Sequence, residues 1–184
     1  YGFKESNSII AAMNWAKKNN LQAPFVAMGT SQGAFSSLLA AAKNPSIEAV
    51  IAENPFYSGQ RILFEYPAMK WVPKFIKILA FKFLNIQIGT NIDDLDASKF
   101  LTKDFKTPVF LIHGTEDETI SQKHSEDIFE ILKNIQGSNT ISKLWIVPNA
   151  KHQTEWNLDH KTYEKNVIEF LNKALDHAAR LNEE

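Results

Sequence analysis

Four short runs of almost wholly apolar residues recur along the chain, Phe25 to Met28, Ala49 to Ala52, Val109 to Ile112 and Leu144 to Val147, with helical patterns between them. A strand that alternates apolar and polar residues has one wet face, whereas one that is apolar throughout is buried on both. Parallel strands also need long crossovers, and helices supply them while covering the sheet. The alternation therefore predicts an α/β chain, a three-layer α/β/α sandwich around a mostly parallel sheet. Helices are expected over Ser8 to Lys18, Gln32 to Lys43, Ser121 to Ile135 and Tyr163 to Ala178, where apolar residues such as Ile128, Phe129, Ile131 and Leu132 return at helical spacing.

One stretch breaks this rhythm. Between the second and third strands, residues from about 57 to 105 form a helical insertion far longer than a crossover requires. Its middle, Tyr66 to Ile88, mixes Trp71, Phe75, Ile76, Leu79, Phe81, Phe83 and Leu84 with Lys70, Lys74, Lys77 and Lys82, and Pro67 and Pro73 interrupt it. Three readings follow from this composition: helices packed beside the sheet with their lysines in water, a lid over a substrate, or a helix lying on an anionic membrane surface.

Composition narrows the function classes. The chain has 184 residues and 44% hydrophobic side chains, so a single domain with its own core is expected, burying about 70% of its unfolded surface. Lys plus Arg number 20 against 21 for Asp plus Glu, and no run of like charge appears, which gives no electrostatic footprint for nucleic acid. Cysteine is absent, which excludes disulfide frameworks, thiol catalysis and cysteine-ligated zinc and is compatible with either redox compartment. The uncharged stretch from Asn19 to Ala42 contains Pro24, Gly29, Thr30, Ser31, Gln32 and Gly33 and does not read as a membrane span.

Chemistry enters at Gly29-Thr30-Ser31-Gln32-Gly33, a G-x-S-x-G where the first strand ends and an Ala-rich helix begins. A serine on such a sharp turn is held in strained backbone with its hydroxyl outward, and the glycines on either side allow strand and helix to approach. The alternative is a Gly-rich turn in which the serine merely caps the helix. Serine is a poor nucleophile at neutral pH, so catalysis needs a base within hydrogen-bond reach and a carboxylate to orient it. The third strand runs into His113-Gly114-Thr115-Glu116-Asp117-Glu118, and the fourth into Pro148-Asn149-Ala150-Lys151-His152. In a parallel sheet these ends share the edge that carries Ser31.

The segments G-T-S-Q-G, P-V-F-L-I-H-G-T-E-D-E-T-I and W-I-V-P-N-A-K-H together resemble the α/β-hydrolase superfamily, in its esterase, lipase, thioesterase or serine aminopeptidase-like branches. The resemblance implies Ser31 as nucleophile, Asp117 as acid and His152 as base, with the Gln32 amide as one oxyanion-hole donor. It implies a serine hydrolase acting through an acyl-enzyme on an ester, thioester or amide, with a small-molecule or peptide acyl substrate and neither metal nor organic cofactor. A noncatalytic binding protein on the same scaffold, or an inactive fragment of the hydrolase, is the alternative. His113 is a second candidate base and Glu53 a second candidate acid. His124, His160 and His177 fall on helices and are expected to be solvated, and Trp156 either packs or lines an acyl pocket. By the same resemblance, residues 1–184 are expected to be one partial hydrolase domain whose first strands, with the second oxyanion donor, lie upstream of Tyr1. The strand Phe25 to Met28 would then present an apolar edge.

Overall fold

In the computed structural model, which describes residues 2–65, 69, 71–88, 92–137 and 140–181, helix α1 (Phe3–Lys18) leads into strand β1 (Phe25–Thr30) and helix α2 (Gln32–Lys43). Strand β2 (Ile47–Glu53) then feeds the insertion, and strand β3 (Val109–Gly114), helix α6 (Lys123–Gln136) and strand β4 (Lys143–Val147) complete the sheet. Between β2 and β3 lie α3 (Gly59–Glu65), α4 (Lys74–Ile88) and the short α5 (Ala97–Phe100). A one-turn α7 (Glu155–Leu158) and the long α8 (His160–Leu181) end the chain. The four strands pair in the order β1-β2-β3-β4, every pair parallel. All four expected strands and the four expected crossover or flanking helices are present, and α1 begins five residues earlier than its apolar pattern because Ser6 is buried and Phe3 packs beside Phe35 and Leu95.

Layering follows from the two-residue period of the strands. Val50, Ala52, Val109 and Leu111 face Leu38 of α2, Met13 of α1 and Ile128 of α6, while Ala49, Ile51, Phe110 and Ile112 face Tyr163, Phe170 and Ala174 of α8. Burial on both faces, expected of all four strands, holds for β2 and β3. Strands β1 and β4 differ, because they are the edge strands: in β4 only Val147 is buried, and in β1 Ala27 joins the α2 side, whereas Val26 and Met28 turn to the other face and stay 37% and 54% exposed. Among the described residues β1 pairs with β2 alone.

The insertion leaves and returns through a narrow neck. Ser58 and Asp96 form an antiparallel bridge, closed by hydrogen bonds from the Gly59 amide to the Leu95 carbonyl (2.7 Å) and from the Ala97 amide to the Tyr57 carbonyl (2.9 Å). Phe56 stacks on Phe35 of α2 with ring centroids 4.3 Å apart, and Phe100 meets the same ring edge-on, so both ends of the insertion are anchored on the nucleophile helix. The expected helix over Tyr66 to Ile88 is realised as α4 after Pro73; residues 66–68 and 70, and the side chains at 81, 82 and 84, lie outside the described residues. Of the three readings, the one that packs this helix with its lysines in water is corrected: Lys74 is exposed, but Lys77 is buried while Phe75, Ile76, Ile78, Leu79 and Phe83 are exposed. The Lys77 ammonium is held inward by the Phe64 carbonyl at 3.4 Å and by the Phe64 ring, which turns the apolar stripe outward. Among the described residues, no helix is long and apolar enough to cross a membrane.

Candidate active site

Ser31 sits between β1 and α2 with φ 53° and ψ −117°, a backbone conformation that costs a non-glycine residue about 1–3 kcal/mol. Two bonds hold it there. Its amide donates to the Glu53 carbonyl at 2.8 Å, and its carbonyl accepts from the Phe35 amide at 3.2 Å. Gly29 makes the turn possible, since a Cβ at that position would lie 2.4 Å from the backbone of Gly33. The two glycines are not equivalent: a Cβ on Gly33 would meet nothing within 4 Å, so Gly33 supplies the backbone that Gly29 must clear. Ser31 stands at the N-cap of α2, yet its hydroxyl makes no capping hydrogen bond. The helix-capping alternative therefore does not describe this serine.

His152 Nδ1 lies 2.7 Å from Asp117 Oδ2. The Asp117 side chain is fully buried, and His152 keeps about a fifth of its surface open. Burial pushes the Asp117 carboxyl up, but hydrogen bonds from the His113 and His152 rings and from the amides of Ile120 and Thr119 outweigh it and hold the group far below the usual carboxylate range. An ionised carboxylate only accepts, so Nδ1 of His152 carries the proton and Nε2 is left as the basic nitrogen. Among the described residues, no hydrogen bond joins Ser31 Oγ to His152; such bonds are commonly long before substrate arrives. Gln32 begins α2, where backbone N–H groups have no intrahelical acceptor, and its side chain donates to Glu5 Oε1 at 2.9 Å.

The loops that carry these residues are fastened to one another. The Thr115 amide donates to the Val147 carbonyl at 3.0 Å and the Glu116 amide to the Ala150 carbonyl at 2.8 Å, which joins the acid loop to the histidine loop. Asn54, at φ 45°, links the next pair: its Oδ1 accepts from the Gln153 amide at 3.3 Å while its Nδ2 donates to the buried Glu155 at 2.7 Å. Gln153 Nε2 in turn reaches Thr30 Oγ1, beside the nucleophile, at 3.3 Å. Ser31, Asn54, Asn149 and Gln153, all non-glycine residues with positive φ, lie at this one edge of the sheet. The positioning role of Asn54 was not visible in sequence, because only the folded loop shows that it bridges residues a hundred positions apart.

The other candidates separate cleanly. His113 is buried, with Nδ1 2.7 Å from Ser125 Oγ and Nε2 2.8 Å from the Ile120 carbonyl, so neither nitrogen faces the serine. Glu53 is bonded by the Tyr163 hydroxyl rather than by His152, and its carboxyl is raised by burial and by the charge of Glu155, with the Tyr163 bond acting in the opposite sense. His124 corrects the expectation of a solvated ring: it is buried, accepting from the Tyr57 amide at 2.8 Å and lying 2.9 Å from Glu65. Trp156 is half-exposed and leans on the His160 ring, outside the core. A concavity of about 660 Å³ lies at the opposite end of the strands, between Phe25, Pro45, Phe105 and Pro108, away from Ser31, Asp117 and His152.

Parallel strands in this order, crossed by helices on both faces and ending in a serine turn, constitute the α/β-hydrolase fold. An esterase of Pyrococcus furiosus superposes with a TM-score of 0.71 at 20% identity, covering 94% of this chain and 62% of its own. The protein Est1E from Butyrivibrio proteoclasticus superposes with a TM-score of 0.66 at 20% identity, over 94% of this chain and 72% of that one. The acylaminoacyl peptidase of Pyrococcus horikoshii gives 0.62 at 18% identity, over 83% of this chain and 24% of its own. The Bacillus subtilis protein YqkD is 27% identical across 96% of this chain, which spans 57% of that relative's length. The family model of the prolyl oligopeptidases matches residues 1–178, and the chain belongs to the prolyl oligopeptidase family.

Proposed function

We propose that the chain is a serine hydrolase that transfers an acyl group to water through Ser31. The observation that carries this reading is the buried, ionised Asp117 bonded to Nδ1 of His152 at the same strand edge as the strained, uncapped Ser31. His152 Nε2 takes the hydroxyl proton as Ser31 attacks the carbonyl of an ester, thioester or amide. The Gln32 amide, at the positive end of α2, stabilises the oxyanion, a contact whose loss costs about 100- to 1,000-fold in comparable sites. His152 then protonates the leaving group and activates water to release the acid. The chemistry uses neither metal nor organic cofactor. Relatives named as an esterase and as an acylaminoacyl peptidase make esters and acylated peptides the first substrates to try.

Treatment with a fluorophosphonate probe, read by intact mass, tests the proposal. Wild-type protein is expected to gain one phosphonyl adduct, and Ser31→Ala none. Wild-type protein without an adduct, or an equal adduct on Ser31→Ala, overturns it.

A further inference from the structure

His113 lies beneath the acid of the site, and both nitrogens of its buried ring have partners. Its Nε2 sits 2.8 Å from the Ile120 carbonyl and 3.3 Å from Asp117 Oδ2, both of which only accept, so Nε2 carries the proton. Its Nδ1, 2.7 Å from Ser125 Oγ, is then an acceptor for that hydroxyl. Ser125 belongs to the first turn of α6 and is fully buried with the ring. The geometry fixes one tautomer, whose Nε2–H is bonded to the Ile120 carbonyl and at the same time lies 3.3 Å from the carboxylate oxygen that His152 uses.

We infer that His113 is a positioning residue for the acid, a neutral Nε2–H donor locked by Ser125 that holds Asp117 Oδ2 in line with His152. The inference rests on the hydrolase reading of Asp117 and His152. Asp117 has two oxygens to orient: the Thr119 and Ile120 amides, each at 2.8 Å, hold Oδ1, and the His113 and His152 rings share Oδ2. Without His113 the carboxylate keeps its place in the loop but concentrates more negative charge on His152, which favours the imidazolium over the free base. The other ionisable groups near this pair are accounted for. Glu116 and Glu118 on the acid loop are exposed, and His124, next to Ser125, is engaged by Tyr57 and Glu65. Glu155, three residues after His152, is bonded to Asn54.

Two measurements test the proposal. Long-range proton–nitrogen spectra of the histidine rings are expected to show His113 as the Nε2–H tautomer and His152 as the Nδ1–H tautomer in wild-type protein at neutral pH. A His113 ring protonated on Nδ1 overturns the proposal. Fluorophosphonate labelling rates are then followed against pH for His113→Phe and His113→Gln. The pH of half-maximal labelling is expected to rise by about half a unit or more in His113→Phe and to stay near wild type in His113→Gln, whose amide N–H can replace the ring donor. Where His113→Phe does not fold, Ser125→Ala, which keeps the ring and removes its lock, is read the same way. A uniform rate loss at every pH, with no displacement of the profile, overturns the positioning role. The expected tautomers in a wild-type protein that takes no label would instead sink the hydrolase reading and leave the hold on Asp117 intact.

Discussion

Gly114 and Ala150 approach so closely that a Cβ on the glycine would lie 2.2 Å from the alanine's carbonyl oxygen. That carbonyl also accepts the Glu116 amide, so this contact, beside the Thr115–Val147 bond, sets the spacing between the loop of Asp117 and the loop of His152. Gly114→Ala must push the loops apart. It is expected to destabilise the fold by about 1–3 kcal/mol, as overpacking does, in urea melts. A displacement near 1 Å at a catalytic pair costs on the order of 100-fold, and labelling of Ser31 should slow by about that factor. A variant that labels at the wild-type rate would show that the contact does not set the geometry.

Asp117→Asn tests the acid directly. An amide at this position cannot hold Nδ1–H of His152 as a carboxylate does, and labelling is expected to fall by about 1,000- to 10,000-fold. Stability carries a second signature. The folded-state carboxyl is held well below its unfolded value, so between the two values the unfolded chain binds more protons. The contribution of Asp117 is therefore complete above about pH 4 and is lost as pH falls through the lower folded value. Acid melts should show that loss in wild-type protein and not in Asp117→Asn.

The parts of this site that were legible in sequence are those that follow from periodicity and from chain order. The apolar runs of β2 and β3 reported burial on both faces, and the placement of Ser31, Asp117 and His152 after β1, β3 and β4 of a parallel sheet put them at one edge. What escaped depends on contacts that spacing does not encode. Nothing in the periodicity of α6 shows that His124 turns inward to Tyr57 and Glu65, since the partner belongs to the insertion. The same holds for Lys77 of α4, whose charge reads as a solvated face until the Phe64 carbonyl is seen to hold it inside. Val26 and Met28 show the converse, a buried-strand composition on a strand that one face leaves open.

Tyr163 and Glu53 join α8 to the end of β2, behind the nucleophile turn. Burial raises the Glu53 carboxyl, the Tyr163 hydroxyl bond lowers it, and the charge of Glu155 raises it again, with a net rise. A raised folded value means that the native state binds more protons between the two values, so stability falls as pH rises through that window. Tyr163→Phe removes the one group opposing the rise. It is expected to cost about 1–3 kcal/mol at a pH above the raised folded value, where Glu53 is ionised, and less at pH 4, below its ordinary value. Urea melts at the two pH values check this, and an equal loss at both would contradict it.

His124 ties the insertion to the body of the domain through two bonds, of which the one accepted from Tyr57 requires a neutral ring. Nδ1 accepts from the Tyr57 amide, which leaves Nε2–H for Glu65. Burial lowers the imidazole below its ordinary value and the Arg61 charge adds to this, against the opposing bond from Glu65. With a lowered folded value, the contribution of His124 is complete above about pH 6.5 and is lost as pH falls through the folded value. A second proton on Nδ1 breaks the Tyr57 bond at the neck of the insertion. Arg61 still pairs with Asp127 at 2.5 Å, so α3 should loosen rather than detach. Hydrogen exchange, corrected for intrinsic rates, is expected to quicken at Tyr57 and through α3 between pH 7 and an acid pH below the lowered folded value of the ring, with α8 unchanged. In His124→Phe, α3 should exchange quickly at both pH values, because the ring that senses the change is gone. Slow exchange in that variant at pH 7 would place the hold on α3 elsewhere, with Arg61 and Asp127 the pair to test next.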